Sequence, residues 1–466
     1  MDNPADTHKL RRSFGLFSAT MLGTGAMIGA GIFVLSGIAA GEAGPALLLA
    51  FALNGFAALI IGSCYAELVS AMPRAGGSYY WIKQGIGPIS AFFAGWISFY
   101  ANTVAAALYA KAFGSFAIAL LGPLTLSSAL SESVQTILIG VSVVVIVAII
   151  EYRGAKETVL AENIIASLKI ALLMLFVIVG TVFILRRPEP TAALTPFLPN
   201  GLGGVGIAMA LTFVAFEGFE VITRSGEEIR DPRRNIPRAI FASILISVAL
   251  YLMVASVTLL AVMPPPGQLG YEYLGSLGEL GMAAVAGQLI PYGEAVFYVA
   301  GMASTTSAMI AAIYSATRVG FAMGRAGDLP PCFGRVHDTF ASPHVAVLTC
   351  TGLMVVMVIA LPVKEIAVSA GMMFALLFAM VCFATIRLRL KFPEMKRYFH
   401  VPFSPFIPGL GIASCGLILL TLRDVSALAW LVSMGWIALG VPVILGHAKW
   451  RLVRVREVPI KPNDLE

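Results

Sequence analysis

The amino-acid sequence predicts an all-α integral membrane protein with twelve transmembrane helices. Of its 466 residues, 58% are hydrophobic and 12% are charged, whereas a soluble domain carries about 25% charged residues. The apolar residues form long runs of the roughly 20 residues that a helix needs to cross a bilayer. The chain has too few charges to cover a surface in water, which excludes a soluble enzyme, a disordered regulator and an ordinary nucleic-acid binder.

Twelve apolar runs, numbered here as spans 1 to 12, follow one another along the chain. They lie near residues 14–40, 45–71, 88–121, 134–150, 158–185, 202–223, 237–262, 293–323, 344–361, 364–386, 406–422 and 425–447. Span 1 is too long for a signal peptide and lacks a cleavage-like boundary. An even number of spans places both termini on the same side of the membrane.

The basic residues indicate which side that is. If the N-terminus is cytoplasmic, the inner segments hold most of the Lys and Arg residues. The outer segments then hold Arg186, Arg187, Lys364 and Arg423. By the positive-inside rule, both termini are expected in the cytoplasm, with the chain in the cell (plasma or inner) membrane. The net charge of +6 therefore reflects topology and does not indicate a nucleic-acid partner.

The five cysteines and five histidines are scattered along the chain. Their spacing indicates neither a disulfide framework nor a metal site. We predict no metal and no cofactor.

Span 1 contains four closely spaced glycines at mid-membrane, Gly23, Gly25, Gly29 and Gly31. Glycine in a transmembrane helix usually marks close packing between helices. This run is denser than packing requires, and glycine also tolerates backbone angles that other residues avoid. We therefore predict that span 1 unwinds near its centre, with close packing as the alternative.

Span 6 carries Gly218 near its middle, with Glu217 and Glu220 beside it. A charge at mid-bilayer costs at least about 2.5 kcal/mol, so two acidic residues need an explanation. On a regular helix, residues three apart share a face. Either the carboxyl groups take part in function, or they pair with a buried cation or hold protons.

Two interrupted helices indicate a binding site for a zwitterion. Unwound backbone in a membrane is tolerated where it is buried in protein or lines a polar cavity. The carbonyls at the end of one half-helix suit an ammonium, and the N–H groups that begin the next half-helix suit a carboxylate. Broken spans at matching positions of two halves are typical of transporters. We therefore expect transport of an α-amino acid.

The two broken spans open two successive five-span halves of one membrane domain. The domain is expected over 13–447, with the first half at about 13–185, the second at about 202–390, and spans 11 and 12 at about 406–447. Cytoplasmic tails at 1–12 and 448–466 flank it. The longest external segment, 263–292, is a candidate cap for an outer vestibule.

Span 5 places Lys169 about ten residues from either end, roughly 15 Å along the helix. The side chain cannot snorkel that far and must face the protein interior. Burial favours the neutral amine, so Lys169 is a candidate for binding and releasing a proton. The alternative is a permanent structural cation. Ser304 and Ser307 of span 8, one turn apart, either offer hydroxyls to this amine or bond their own backbone.

Three motifs in order resemble the amino acid–polyamine–organocation (APC) transporter superfamily across essentially the whole chain. Span 1 carries GAMIGAGIF at 25–33, similar to the GxxIGxGIF signature of the superfamily. Span 2 ends in YAEL at 65–68, followed by MPRAGGSY at 72–79. The loop after span 6 carries GEEIRDPRRNIP at 226–237.

This resemblance implies a LeuT-type fold, with inverted five-helix repeats (spans 1–5 and 6–10) plus two extra helices, and alternating access. It implies that the substrate carboxylate meets the N–H groups of Ala30 and Gly31. The ammonium is expected at four carbonyls, those of Met27, Val214, Ala215 and Glu217. Lys169 matches a lysine that replaces a sodium ion in sodium-independent relatives, which favours proton coupling, and Glu220 matches an acidic position of the family.

Three positions depart from the family pattern. Ala30 replaces a frequent Ser or Thr, so no hydroxyl supplements the carboxylate site. Val214 replaces a frequently aromatic residue, and Glu217 stands where an aliphatic residue is common. Glu217 either favours a cationic side chain or points away from the pocket. From span 3, Asn102 is the expected polar contact.

The leading interpretation is a proton-coupled amino acid transporter or exchanger in a lipid bilayer, a monomer or weak homo-oligomer. Glu217 and Glu220 motivate the alternative of a cationic amino acid or polyamine exchanger. A channel would need a continuous polar stripe through several spans, which the sequence does not show. A membrane enzyme would need clustered His, Asp or Cys, whereas the histidines here are dispersed. The sequence does not identify the side chain of the amino acid that is transported.

Overall fold

The computed structural model describes residues 15–73, 76–122, 131–153, 158–226, 229–340 and 342–451. The predicted tail at 1–12, most of the tail at 448–466, and the motif residues Arg74, Ala75, Glu227 and Glu228 lie outside this part of the chain.

The described chain is built from α-helices joined by short turns and 3₁₀ segments. In chain order the helices are α1 Leu16–Met27, α2 Ala30–Phe33, α3 Leu35–Ala43, α4 Leu47–Ala71, α5 Gly77–Gly85, α6 Pro88–Leu121, α7 Glu132–Arg153, α8 Thr158–Leu185, α9 Gly201–Thr212, α10 Phe219–Arg224, α11 Pro232–Ala261, α12 Gly270–Leu277, α13 Gly281–Leu289, α14 Gly293–Arg325, α15 His344–Ala360, α16 Val363–Lys391, α17 Phe406–Val425 and α18 Ala427–Arg451.

The helices agree with the predicted spans. Within the described residues, eleven helical stretches are long and apolar enough to cross a membrane, and α15 is a shorter apolar helix at the place of span 9. Its 17 residues reach the lower limit for crossing a bilayer. The all-α membrane fold is therefore confirmed. Span 1 corresponds to α1, α2 and α3 together, and span 6 to α9 and α10.

Glycine and proline set several helix boundaries. α6 begins with Pro88, whose missing N–H costs nothing in the first turn. It ends before Gly122, which has a φ of 71°. α11 begins with Pro232 in the same way. Pro88, Gly122 and Pro232 therefore set the ends of these helices close to the ends of the apolar runs in the sequence.

The spans divide into an enclosed set and a peripheral set. In span 6, 83% of the most apolar window is buried, against 17% in α18. Leu168 of α8, Leu420 of α17 and Leu431 of α18 are each at least 65% exposed. An apolar surface of this kind is rare on a protein in water. The peripheral helices α7, α8, α17 and α18 therefore face lipid.

The segment 263–292, predicted to be external, forms two short helices, α12 and α13, and α12 packs against α3. A Cβ added to Gly41 would lie 2.8 Å from Cα of Gly275, and one added to Gly37 would lie 2.2 Å from the carbonyl oxygen of Gly278. Such close backbone contact requires glycine. Burial raises the pKa of Glu279, which lies between the two helices. Helix α3, the last part of span 1, is thus covered by this segment.

Candidate functional site

The helix of span 1 is interrupted at Ile28 and Gly29, between α1 and α2. In a continuous helix the N–H of Gly29 would bond to the carbonyl of Gly25. Here it donates to the carbonyl of Met27 at 2.7 Å instead. The interruption therefore leaves the Gly25 carbonyl available to a donor from elsewhere in the protein.

Lys169 supplies that donor. Its Nζ lies 3.3 Å from the carbonyl oxygen of Gly25 and 3.2 Å from that of Ile28. On α14 it donates to the hydroxyl of Ser307 at 3.2 Å and to the carbonyl of Ser304 at 3.4 Å. The Lys169 side chain is buried. The amine thus joins the broken segment of span 1 to span 8.

The two serines play different parts at this site. Ser307 offers its hydroxyl to the amine. Ser304 offers its main-chain carbonyl, whereas its hydroxyl donates to the Ile28 carbonyl at 2.7 Å. The Ile28 carbonyl therefore accepts from both Lys169 and Ser304. The residues that the sequence analysis placed around Lys169 do lie together.

Span 6 is interrupted between α9 and α10, where Phe213–Phe216 form a 3₁₀ turn before Glu217 and Gly218. Directly after this turn, the carbonyl of Glu217 accepts from the N–H of Glu220 in α10 at 3.0 Å. This is one of the four carbonyls expected to hold an ammonium. A second expected position, Val214, is buried within the 3₁₀ turn.

The two interruptions touch each other through backbone. A Cβ added to Gly31 would lie 2.2 Å from Cβ of Ala215, and one added to Gly218 would lie 2.4 Å from the main-chain nitrogen of Met27. Both approaches are closer than any side chain allows. These two glycines therefore serve close packing, and span 1 is also interrupted at Ile28 and Gly29, so both alternatives that the sequence had left open occur in the structure.

A tyrosine from span 7 joins this contact. The hydroxyl of Tyr251 lies within hydrogen-bonding distance of the carbonyl of Met27, and 3.1 Å from that of Ala215. Together with the Glu217 carbonyl, three of the four carbonyls expected to meet an ammonium therefore have a protein donor. Ala30, the expected partner of a carboxylate, is the first residue of α2, and Gly31 follows it.

A cavity of about 20 Å³ lies beside the break of span 6. This volume admits a water-sized molecule, so a whole amino acid requires the lining to move apart. The cavity brings together residues of spans 1, 3, 6, 8 and 10. They are Ala26, Asn102, Tyr109, Glu217, Gly218, Glu220, Val221, Ala308, Ala311, Ala312 and Phe374.

Glu217 is one of the residues that line this cavity. One carboxylate oxygen, Oε1, accepts from the hydroxyl of Tyr109 at 3.2 Å. The other, Oε2, is buried and has no hydrogen-bond partner. The residue is 7% exposed. A buried acceptor without a donor costs about 1–3 kcal/mol, so this oxygen is suited to a ligand that brings a donor.

Glu220 belongs to a buried ion pair. Its Oε1 lies 2.9 Å from a guanidinium nitrogen of Arg224 and accepts from the hydroxyl of Ser78 at 3.2 Å. Arg224 also donates to Asn102 at 3.3 Å and to Ser98 at 2.8 Å. Pairing with a buried cation, one of the readings given for this residue, therefore holds for Oε1. The second oxygen, Oε2, has no hydrogen-bond partner.

The second sequence motif lies around a separate ion cluster at the ends of spans 2 and 10. Glu67 is fully buried and accepts from Arg389, from Arg397 at 3.3 Å and from the main-chain N–H of Val401 at 2.7 Å. Nearby in sequence, the hydroxyl of Tyr79 donates to Asp328 at the end of span 8. The motif thus fastens span ends together.

The family model for amino acid permeases matches residues 14–443. The chain belongs to the amino acid permease family. The permease is 33% identical to a methylthioribose transporter of Bacillus subtilis and 33% identical to a branched-chain amino acid permease, BcaP, of the same organism. Each match covers 94% of both chains. It is 28% identical to cationic amino acid transporter 4 of Homo sapiens over 82% of this chain and 61% of that one.

These matches agree with the fold and with the APC resemblance of the motifs. The permease is a multi-span membrane transporter and not an enzyme. The names of its relatives describe different substrates, so the substrate of this chain depends on its own cavity.

Four side chains at the site were missed from sequence: Ser98, Tyr109, Arg224 and Tyr251. Each is a polar residue within or at the end of an apolar run, the same signal that singled out Lys169. Arg224 lies four residues after Glu220, the spacing of a helical ion pair.

Proposed function

We propose that the permease moves an α-amino acid across the membrane by alternating access, with the substrate bound between the breaks of spans 1 and 6. The observation that supports this proposal is the contact of the two broken spans beside a cavity lined by Ala26 of α1 and by Glu217 and Gly218 of the second break. Opposite backbone groups at such breaks suit the two charges of an amino acid.

The substrate carboxylate is assigned to the N–H groups of Ala30 and Gly31. The ammonium is assigned to carbonyls among Met27, Val214, Ala215 and Glu217. Gly218 gives the backbone room to approach, and Asn102 lines the part of the cavity that receives the side chain. Since the cavity is small, binding requires the lining helices to separate.

Alternating access is assigned to two five-span halves, at about 13–185 and 202–390, with both termini in the cytoplasm. The packing of α12 on α3 closes the outer end of span 1. At the opposite end, the Tyr79–Asp328 contact and the Glu67 cluster join the ends of spans 2, 8 and 10. Opening on either side would separate one of these sets of contacts.

Proton coupling is assigned to Lys169. Its ammonium donates to span 1 and to span 8 together. Loss of a proton leaves the amine one N–H fewer and removes its charge. That change weakens the hydrogen bonds by which Lys169 links the broken segment of span 1 to Ser304 and Ser307 of span 8. Glu220 is assigned a supporting part in the same cycle.

A second candidate function is exchange of cationic amino acids or polyamines. It is favoured by Oε2 of Glu217, a buried acceptor that faces the cavity without a donor. The amine or guanidinium of a cationic substrate would supply donor and charge together. An amino acid with an apolar side chain would leave this oxygen as it is.

Counterflow in proteoliposomes tests the proposed function. Vesicles loaded with unlabelled amino acid should accumulate labelled amino acid, with saturation and competition. Flux that rises linearly with concentration would contradict a carrier. The two candidate functions are separated by comparing L-leucine, L-alanine, L-arginine and putrescine as substrates. These compounds are first ranked by the thermal stabilisation that each gives the purified permease.

A further inference from the structure

Tyr251 is fixed in place by its neighbours. It is fully buried, and its ring packs against Phe51 and Phe216, with ring centroids 5.5 and 5.2 Å away. Two aromatic contacts of different orientation restrict the rotation of the side chain. The position of its hydroxyl is therefore set by packing.

The hydroxyl faces more acceptors than it can satisfy. It lies between the carbonyls of Met27 and Ala215, one from each break, yet a hydroxyl has one proton to donate. At any moment one of the two carbonyls must do without it. Met27 also accepts from the N–H of Gly29, so both acceptor positions of that carbonyl are used when Tyr251 donates to it.

An ammonium group has the donors that Tyr251 lacks. It carries three N–H donors and a positive charge, enough to bond to both carbonyls at once. We propose that the Tyr251 hydroxyl is a built-in competitor of the substrate's α-ammonium. It holds the two breaks together without substrate, and on binding the ammonium bonds to both carbonyls and displaces the hydroxyl from them. This inference rests on the proposed function, since it needs a substrate with an α-ammonium.

The proposal predicts the sign of a mutational effect. Binding of substrate includes the loss of a hydrogen bond that Tyr251 makes in the empty site. Without the hydroxyl that bond is absent, and the two carbonyls gain more from an ammonium. Tyr251→Phe should therefore bind amino acid about three- to tenfold more tightly, the size expected for one hydrogen bond. If Tyr251 merely contacted the substrate, the same change would weaken binding.

The experiment compares dissociation constants of the wild-type permease and of Tyr251→Phe for L-leucine and L-arginine. Tyr65→Phe is the matched control, because Tyr65 is equally buried and its hydroxyl has no hydrogen-bond partner. Tighter binding in Tyr251→Phe alone supports the proposal. The gain should vanish for 4-methylpentanoate, which is leucine without its α-amino group. Weaker or unchanged binding of both amino acids would overturn it.

A second variant at position 251 covers the case in which Tyr251→Phe does not fold, and the wild-type permease shows whether the proposed function itself has failed. If Tyr251→Phe does not fold, 3,5-difluorotyrosine at position 251 replaces it. Its more acidic hydroxyl is a stronger donor and should weaken binding of L-leucine, whereas equal or tighter binding overturns the proposal. If the wild-type permease itself binds neither amino acid, the proposed function has failed, which is a different outcome from a failure at Tyr251.

Discussion

The breaks of spans 1 and 6 are similar in backbone but opposite in how their polar groups are satisfied. At span 1, carbonyls released by the break accept from Lys169 and Ser304, which belong to the protein. At span 6, Glu217 and Glu220 each keep one carboxylate oxygen without a hydrogen-bond partner, beside the same cavity. Each break has a resident cation, Lys169 at the first and Arg224 at the second, but only the second also keeps carboxylate oxygens without a hydrogen-bond partner.

This difference indicates a division of labour. A buried acceptor without a donor is unfavourable, and a fold keeps such groups where they serve function. Under the proposed function, the span 1 break is assigned to proton coupling through Lys169, and the span 6 break to a ligand with positive charge. Four variants test this division, from the largest expected effect to the smallest.

Lys169→Ala should abolish accumulation of amino acid driven by a pH gradient. The variant removes both the titrating group and the donor for the carbonyls of the first break. Uptake into proteoliposomes with an imposed pH gradient measures this effect. Lys111→Ala, which removes a lysine bonded to the Leu361 carbonyl in the outer third of span 3, should retain accumulation. Undiminished accumulation in Lys169→Ala would reject the assignment.

Arg224→Met should lower the free energy of unfolding by about 3–5 kcal/mol, because it leaves the buried carboxylate of Glu220 without its cation. Thermal unfolding in detergent measures the loss, and the double variant with Glu220→Gln should recover most of it. Lys364→Met is the control, since it breaks a partly exposed pair with Glu42 that is worth about 0–1 kcal/mol. Equal losses in both single variants would contradict the role of burial.

Gly31→Val should weaken amino acid binding about tenfold or more. The added side chain would overlap Ala215 and push the two breaks apart, and overpacking of this kind costs about 1–3 kcal/mol. Binding assays on folded, extracted protein measure the change. Gly435→Val is the control, because a Cβ there meets nothing within 4 Å. Full binding by Gly31→Val would place the site elsewhere, and Ala215→Gly should partly rescue the variant.

Glu217→Gln should reduce affinity for L-arginine about five- to tenfold relative to L-alanine. The change removes the charge but keeps the shape and one acceptor, so the loss reflects a charge-assisted hydrogen bond. Competition in counterflow gives both affinities in one preparation, with L-alanine as the internal control. An equal effect on the two amino acids would remove the support for a cationic substrate.

Much of the architecture followed from local sequence. Hydropathy placed the spans, dense glycines located the break of span 1, and Gly218 with its two neighbouring carboxylates located that of span 6, because each signal lies within a single segment. The same reasoning marked Lys169, since a lysine far from both ends of an apolar run must turn inward. It left open whether Glu217 faces the cavity, and it missed Tyr109 and Tyr251. A lone tyrosine in an apolar run does not reveal which way its hydroxyl points.

The sequence by itself determined that the protein is surrounded by lipid, where its spans lie, where two of them are interrupted and which charges are buried. These properties depend on composition and spacing along a single helix. The tertiary structure alone decided the partners. Lys169 meets a carbonyl 141 positions earlier, and Tyr251 meets one 224 positions earlier. Such contacts depend on how distant helices rotate and pack against each other. Packing therefore gave carbonyls of one break donors from distant helices, and left two carboxylate oxygens beside the other break without a hydrogen-bond partner.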